Sequence, residues 1–293
     1  MLDVILDTLM DTLKILPFLF LAYLLMEYIE HKMTKKSHEM IQKAGKIGPL
    51  IGGLLGVIPQ CGFSVAATNF YAVRIISLGT LIAVYLSTSD EMLPILLSEA
   101  VPITTIFAIL GIKLGIGIVA GFGIDGIAHL LRKKEGKQER EEMHIEEMCD
   151  HDHCDCKEEG IFKPAVKHTI GILFFLFLVS LILNALIAWI GQETLAGVIS
   201  NQPILGPMLA CFIGLIPNCA SSVVLTQLWL GDIIPLTTMI GGLLVNAGVG
   251  LLVLFRVNKG WKKNMGILVL LYFLGFVSAL LLGLTPINQM LFH

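Results

Sequence analysis

The chain has 293 residues, 55% of them hydrophobic and 15% charged, with a formal net charge of -3 and a mean hydropathy of +0.82. That balance excludes an ordinary soluble domain, which needs far more surface charge to stay in solution. Several apolar runs are long enough, alone or as paired halves, to cross a hydrocarbon core of about 30 Å, which predicts an all-α polytopic membrane protein in contact with the lipid bilayer.

Hydropathy marks ten apolar segments. The first, roughly 4–29, begins MLDVILDTLMDTLK. It has an acidic start and no small-residue cleavage site, so it is expected to be a retained helix and not a secretory signal. Asp3, Asp7 and Asp11 form one helical stripe close to Lys14, which suits an acidic helix start better than a functional ladder of carboxylates. Segments two and three, roughly 48–58 and 62–73, are short. Eleven residues reach only about 16 Å, half the core. The pair predicts a hairpin of half-helices, spanning or re-entrant, broken at Pro59-Gln60-Cys61-Gly62.

Segment four, roughly 75–97, contains YLSTSDEMLPI. Asp90 and Glu91 fall past its middle, and intramembrane acids are costly enough to suggest function. With Ser87, Thr88 and Ser89 they form a candidate group for binding a cation or coupling to protons. The plainer alternative ends the segment at Leu86 and leaves the acids in an outer loop. Segment five, roughly 101–130, carries Lys113, either a counter-charge or a side chain that snorkels to the interface.

Residues 131–167 form a charged linker between transmembrane units at 1–130 and 168–293. It holds MHIEEMCDHDHCDC, with His144, Cys149, His151, His153, Cys154 and Cys156 among Asp and Glu. No structural zinc spacing fits. A flexible tract of thiols, imidazoles and carboxylates nonetheless binds soft and borderline metals, which is preferred here to the alternative of a merely solvated acidic linker.

Segments six to ten lie at roughly 168–190, 204–217, 219–230, 233–255 and 264–284. Segments seven and eight are again short and meet at Pro217-Asn218-Cys219-Ala220. An offset of 158 residues brings Cys219 onto Cys61, Gly206-Pro207 onto Gly48-Pro49, Ile216-Pro217 onto Ile58-Pro59, Ser222 onto Ser64 and Thr226 onto Thr68. The acids are not duplicated: Asn246, within Val245–Val249, stands in the corresponding stretch. Matching Pro, Cys, Ser and Thr at one constant offset predicts two five-segment repeats. Basic residues in the loops near 32–46, 132–137 and 256–263, against none near 98–101, 191–203 and 285–293, place the former in the cytoplasm and both termini outside. The repeats are then inverted, the architecture in which broken helices build a midplane transport site. A kinked structural hairpin is the competing explanation.

Cys61 and Cys219 are the main candidates for substrate contact. Each follows a helix-breaking Pro and an amide residue, and a following half-helix would turn its positive end towards the thiol. A thiol pair suits soft ions and trivalent metalloids. Gln60, Asn218, Ser64, Ser222, Thr68 and Thr226 supply oxygens around it or satisfy the freed backbone. Cys211 lacks a counterpart in the first half and is expected to serve packing. No Gly-rich phosphate loop occurs, so energy would come from a gradient, downhill flow or a partner.

These motifs, IPQCGFSV, IPNCASSV, STSDEMLP and the His/Cys-bearing loop, resemble those of the ten-transmembrane heavy-metal exporters labelled arsenic efflux proteins or manganese transporters. The likeness runs over nearly the whole chain. Gln60 and Asn218 stand where such proteins often carry Gly. The resemblance implies a non-enzymatic exporter of a metal or metalloid, and the positive-inside pattern without a targeting peptide suits a bacterial-type inner membrane. No cofactor is expected beyond the transported or loop-bound ion, and nucleic acid is not an expected partner. Arsenite-like species fit a thiol site, whereas manganese-like cations would use Asp90 and Glu91. Two readings of other classes are an intramembrane phosphate hydrolase, disfavoured because no Arg, Lys or His lies at the hairpin tips, and a metal sensor built on the linker.

Overall fold

A computed structural model describes residues 47–59, 61–89, 91–134, 204–258 and 260–285 continuously, with helical pieces within 8–24 and 166–182. Ten helices are described end to end: α1 Gly48–Gly56, α2 Cys61–Ala72, α3 Leu78–Ser87, α4 Met92–Ser98, α5 Ile103–Lys134, α6 Leu205–Gly214, α7 Cys219–Leu230, α8 Leu236–Val245, α9 Gly250–Val257 and α10 Trp261–Gly283. No strand occurs among the described residues. The molecule is an all-α, multi-pass membrane protein. The linker candidates His144 to Cys156 lie outside the described residues.

The half-helices form as expected. α1 and α6 have nine and ten residues, α2 and α7 twelve each. Both tips lie two residues earlier than the predicted breaks, so Cys61 and Cys219 are the first residues of α2 and α7 instead of sitting in the break. Helices α2 and α7 also end alike. The Ile75 amide donates to the Phe70 carbonyl at 2.8 Å and the Ile233 amide to the Leu228 carbonyl at 2.9 Å. This is a Schellman closure with a left-handed residue, Arg74 (φ 62°) or Asp232 (φ 55°), where glycine is usual.

Segments four and nine, each predicted as one apolar stretch, are divided. Leu78–Ser98 and Leu236–Val257 remain long and apolar enough to cross a membrane, as are Ile103–Leu131 and Trp261–Gly283. The first is interrupted between α3 and α4, the second between α8 and α9.

Burial sorts these helices. Every residue of Gly79–Ser87 in α3 and of Leu236–Val245 in α8 is buried. By contrast α10 exposes Trp261, Met265, Val269 and Phe273 at intervals of four, and α5 exposes Ile103, Phe107, Val119 and Ile127. A helix that is apolar all round belongs in a large core or a membrane, and apolar stripes this continuous need lipid to cover them.

Small residues bring the helices close. α1 packs on α3 and α3 on α5; α6 packs on α8 and α8 on α10. Gly48, Gly52 and Gly56 make one stripe along α1, where a Cβ on Gly52 would meet the Thr80 and Val84 side chains at 3.0 Å. A Cβ on Gly121 of α5 would meet the Gly79 carbonyl at 2.6 Å, and one on Gly214 of α6 would strike the Gly242 carbonyl. Such contacts replace the hydrophobic drive that lipid removes between membrane helices. The halves join through α2 against α9, α4 against α7, and α3 against α8.

Candidate functional site

Two kinds of backbone interruption occur, each once in either half. The first is the hairpin tip. Ile58 and Pro59 leave α1 exposed, and Ile216 and Pro217 leave α6 partly buried, before the chain restarts at Cys61 or Cys219. Proline explains each stop, because the helix cannot continue through it at no cost. Asn218 is buried in extended backbone (φ -148°, ψ 149°) as the N-cap position of α7. Its carbonyl and that of Ile216 accept from the Ser221 hydroxyl at 2.7 and 3.2 Å. Gln60 and the side chains of Cys61 and Cys219 lie outside the described residues; the backbone of both cysteines is described.

The second interruption divides the long central helices. At the end of α3, the Ser87 hydroxyl donates to the Ala83 carbonyl at 2.7 Å and the Thr88 hydroxyl to the Val84 carbonyl at 2.7 Å. The Ser89 hydroxyl donates to the Ser87 carbonyl at 3.2 Å. Hydroxyls that bond back into their own helix weaken and bend it, and Thr88 departs at ψ 129°. Ser87, Thr88 and Ser89 are all buried, and α3 ends at Ser87, one residue past the end that the alternative reading gave. Glu91, half-buried, precedes α4; Asp90 lies outside the described residues. In the other half, the buried Asn246 Oδ1 accepts from the Gly248 amide at 3.0 Å, closing an Asx turn that Gly248 completes at φ 55°.

Lys113 of α5 lies where these central helices end. It is only 1% exposed, so it does not snorkel. Its ammonium donates to the Thr88 carbonyl at 2.5 Å and to the Leu243 carbonyl at 2.9 Å, one acceptor from each half.

A hydroxyl cluster links the halves nearby. Thr68 Oγ1 donates to its own helix at Ser64 O (2.7 Å), lies 2.6 Å from the Tyr85 hydroxyl and 3.1 Å from the Gly250 carbonyl. Tyr85 also reaches Gly250 O, at 3.3 Å. One threonine proton serves one acceptor at a time, so Tyr85 supplies the second donor. Gly250 is required there because a Cβ would meet Ser64 at 2.9 Å. Thr226 repeats the Thr68 bond to its own helix, donating to Ser222 O at 2.7 Å. Ser64, Thr68, Ser222 and Thr226 are buried.

The structure thus brings Ser64 and Thr68 beside the break that Asn246 opens, and Thr88 beside Lys113. Among the described residues no group of three or more His, Cys, Asp and Glu gathers as a metal ligand set. Cys211 is a buried free thiol in the apolar core.

A family model described as "Putative, 10TM heavy-metal exporter" matches residues 1–158, more than half of the 293-residue chain. The chain belongs to this family. The match spans the first hairpin, the STSDE break and the His/Cys loop. No curated protein and no solved structure matches the chain. For a heavy-metal exporter the chemistry available at the interruptions is hydroxyl, amide and carbonyl oxygen, with helix starts at the cysteines.

Sequence reasoning missed Tyr85 and the pairing of Lys113 with the second half. Tyr85 aligns with Leu243, so the offset that revealed the cysteines conceals it. An aromatic in an apolar run also reads as core.

Proposed function

We propose that the protein is a secondary-type exporter of a heavy metal or metalloid, with arsenite-like soft species favoured. Its site would lie between the two hairpin tips, where Cys61 and Cys219 supply thiols and Gln60, Asn218, Ser64, Ser222, Thr68 and Thr226 supply oxygens. The observation that carries this reading is that each cysteine opens a half-length helix directly after Ile-Pro-amide. Helix starts concentrate positive potential, which favours a thiolate ligand. The identical closures at Arg74 and Asp232 support two structurally equivalent halves, and the loop charges support their inversion, with a cytoplasmic linker and both termini outside a bacterial-type inner membrane.

Coupling is assigned to Asp90 or Glu91, with Ser87, Thr88, Ser89 and Asn246 around the two breaks. Burial of Ser87, Thr88 and Ser89, directly before the acids, supports this. The linker residues His144, Cys149, His151, His153, Cys154 and Cys156 would capture metal before entry. Uptake into everted vesicles tests the reading with arsenite, zinc and manganese, with and without a proton gradient. Arsenite accumulation lost in the Cys61→Ser/Cys219→Ser double variant supports it. Manganese movement that survives that change but fails in Asp90→Asn would move the substrate to the acids. No movement of any of them overturns the transport reading in favour of a sensor or an intramembrane hydrolase.

A further inference from the structure

Lys113 joins the two halves through backbone carbonyls. Its ammonium sits at the C-terminal ends of two helices at once: Thr88 is the C-cap of α3, and Leu243 lies in the last turn of α8. Each helix end carries roughly half a negative charge on carbonyls without partners in their own helix. Two such ends brought together inside a membrane protein repel each other and need a cation. Broken helices in transporters generally satisfy this need with a monovalent ion, held by unwound carbonyls and half-helix C-termini. Here a side chain arrives instead. Only one half provides it, since the position 158 residues after Lys113 is Leu271, which is itself buried. Because Thr88 and Leu243 belong to different halves, one ammonium serves both ends and ties the halves together.

We propose that the carbonyl pocket formed by Thr88 and Leu243 is a monovalent-cation site whose resident occupant is the tethered ammonium of Lys113. Lys113 is a positioning residue here: it holds α3 and α8 end to end, and it makes the protein independent of sodium or potassium from solution at this point. Truncating it to alanine opens a site for a primary ammonium ion. Propylammonium reproduces the atoms removed, three carbons and the nitrogen.

The test uses full-length protein purified in detergent, comparing wild type, Lys113→Ala and Lys113→Met by thermal unfolding. Each is measured in n-propylammonium, tetramethylammonium, sodium and potassium chloride at equal ionic strength. The expected result is a lower midpoint for both variants. In Lys113→Ala alone, n-propylammonium restores at least half of the loss in a saturable way. Tetramethylammonium cannot donate a hydrogen bond and does nothing. Saturable stabilisation of Lys113→Ala alone by sodium or potassium supports the same site with a simpler occupant. An equal response of all three proteins to every salt overturns the proposal, and so does a wild-type midpoint for Lys113→Met. Should Lys113→Ala be recovered only when extracted in n-propylammonium, that too supports the site. Should it never be recovered, folded Lys113→Arg without folded Lys113→Met supports the site, and every other pattern overturns it. None of these readouts involves transport, so the outcome is independent of the exporter reading.

Discussion

At the scale of single residues, the contact between the halves rests on few polar atoms. Thr68, Tyr85 and the Gly250 carbonyl share their hydrogen bonds in a fully buried setting. Tyr85→Phe removes one of the cluster's two donors, so a loss of about 0.5–1.5 kcal/mol is expected from thermal unfolding in detergent. Thr68→Val costs more, about 1–3 kcal/mol, because it leaves the buried Tyr85 hydroxyl with a poorer partner. The double variant should cost less than the sum of the two, since both act on one cluster. Asp232 gives the opposite sign. It is exposed and held at φ 55°, where an L-residue pays roughly 1 kcal/mol, so Asp232→Gly should raise the unfolding midpoint.

At the scale of elements, packing is set by backbone proximity. Gly52→Val would press a branched side chain against Thr80 and Val84, and about 1–3 kcal/mol of destabilisation is expected, read as a lower midpoint or lost expression. Asp125 of α5 caps the start of α3, accepting from the Ser77 hydroxyl at 2.6 Å and the Gly79 amide at 2.9 Å. Asp125→Asn removes the charge that favours a helix N-terminus and should cost about 1 kcal/mol; a midpoint equal to wild type would refute that role. The short half-helices were legible in the sequence because proline and length leave few alternatives. The interruptions at 88–91 and 246–249 were less so. Apolar residues continue on both sides, and Ser, Thr and Asn disturb a helix only through the hydrogen bonds their side chains choose. The cysteines stood out by duplication. Lys113 did not, because its long stem permits snorkelling or burial equally, and only the tertiary meeting of α3 and α8 decides between them.

At the scale of the whole molecule, the apolar surface divides into a protein-facing core and a lipid-facing skin. Phe273 is 59% exposed near the middle of α10. Phe273→Arg should therefore reduce membrane-inserted protein, in line with an insertion penalty of about 2.5–3.5 kcal/mol for a charge at that depth. Quantifying folded protein extracted from membranes checks this, and wild-type yield would mean that the stripe does not face lipid. A buried lysine in α5 and an intolerant phenylalanine in α10 are compatible because Lys113 has protein carbonyls for solvent.

α5 touches α3 with opposite charges at opposite ends: Asp125 at the helix start and Lys113 just past its finish. The two lie twelve residues apart on α5, a rise of about 18 Å, which matches the ten-residue α3 with its caps. The pair works as a caliper. One residue inserted between Gly117 and Gly121 would slide one jaw by about 1.5 Å and turn it by about 100°, releasing one end of α3. An inserted full turn would restore the facing but overshoot the span. Sliding of α3 along α5 would break both contacts at once, so the pair opposes it from both ends.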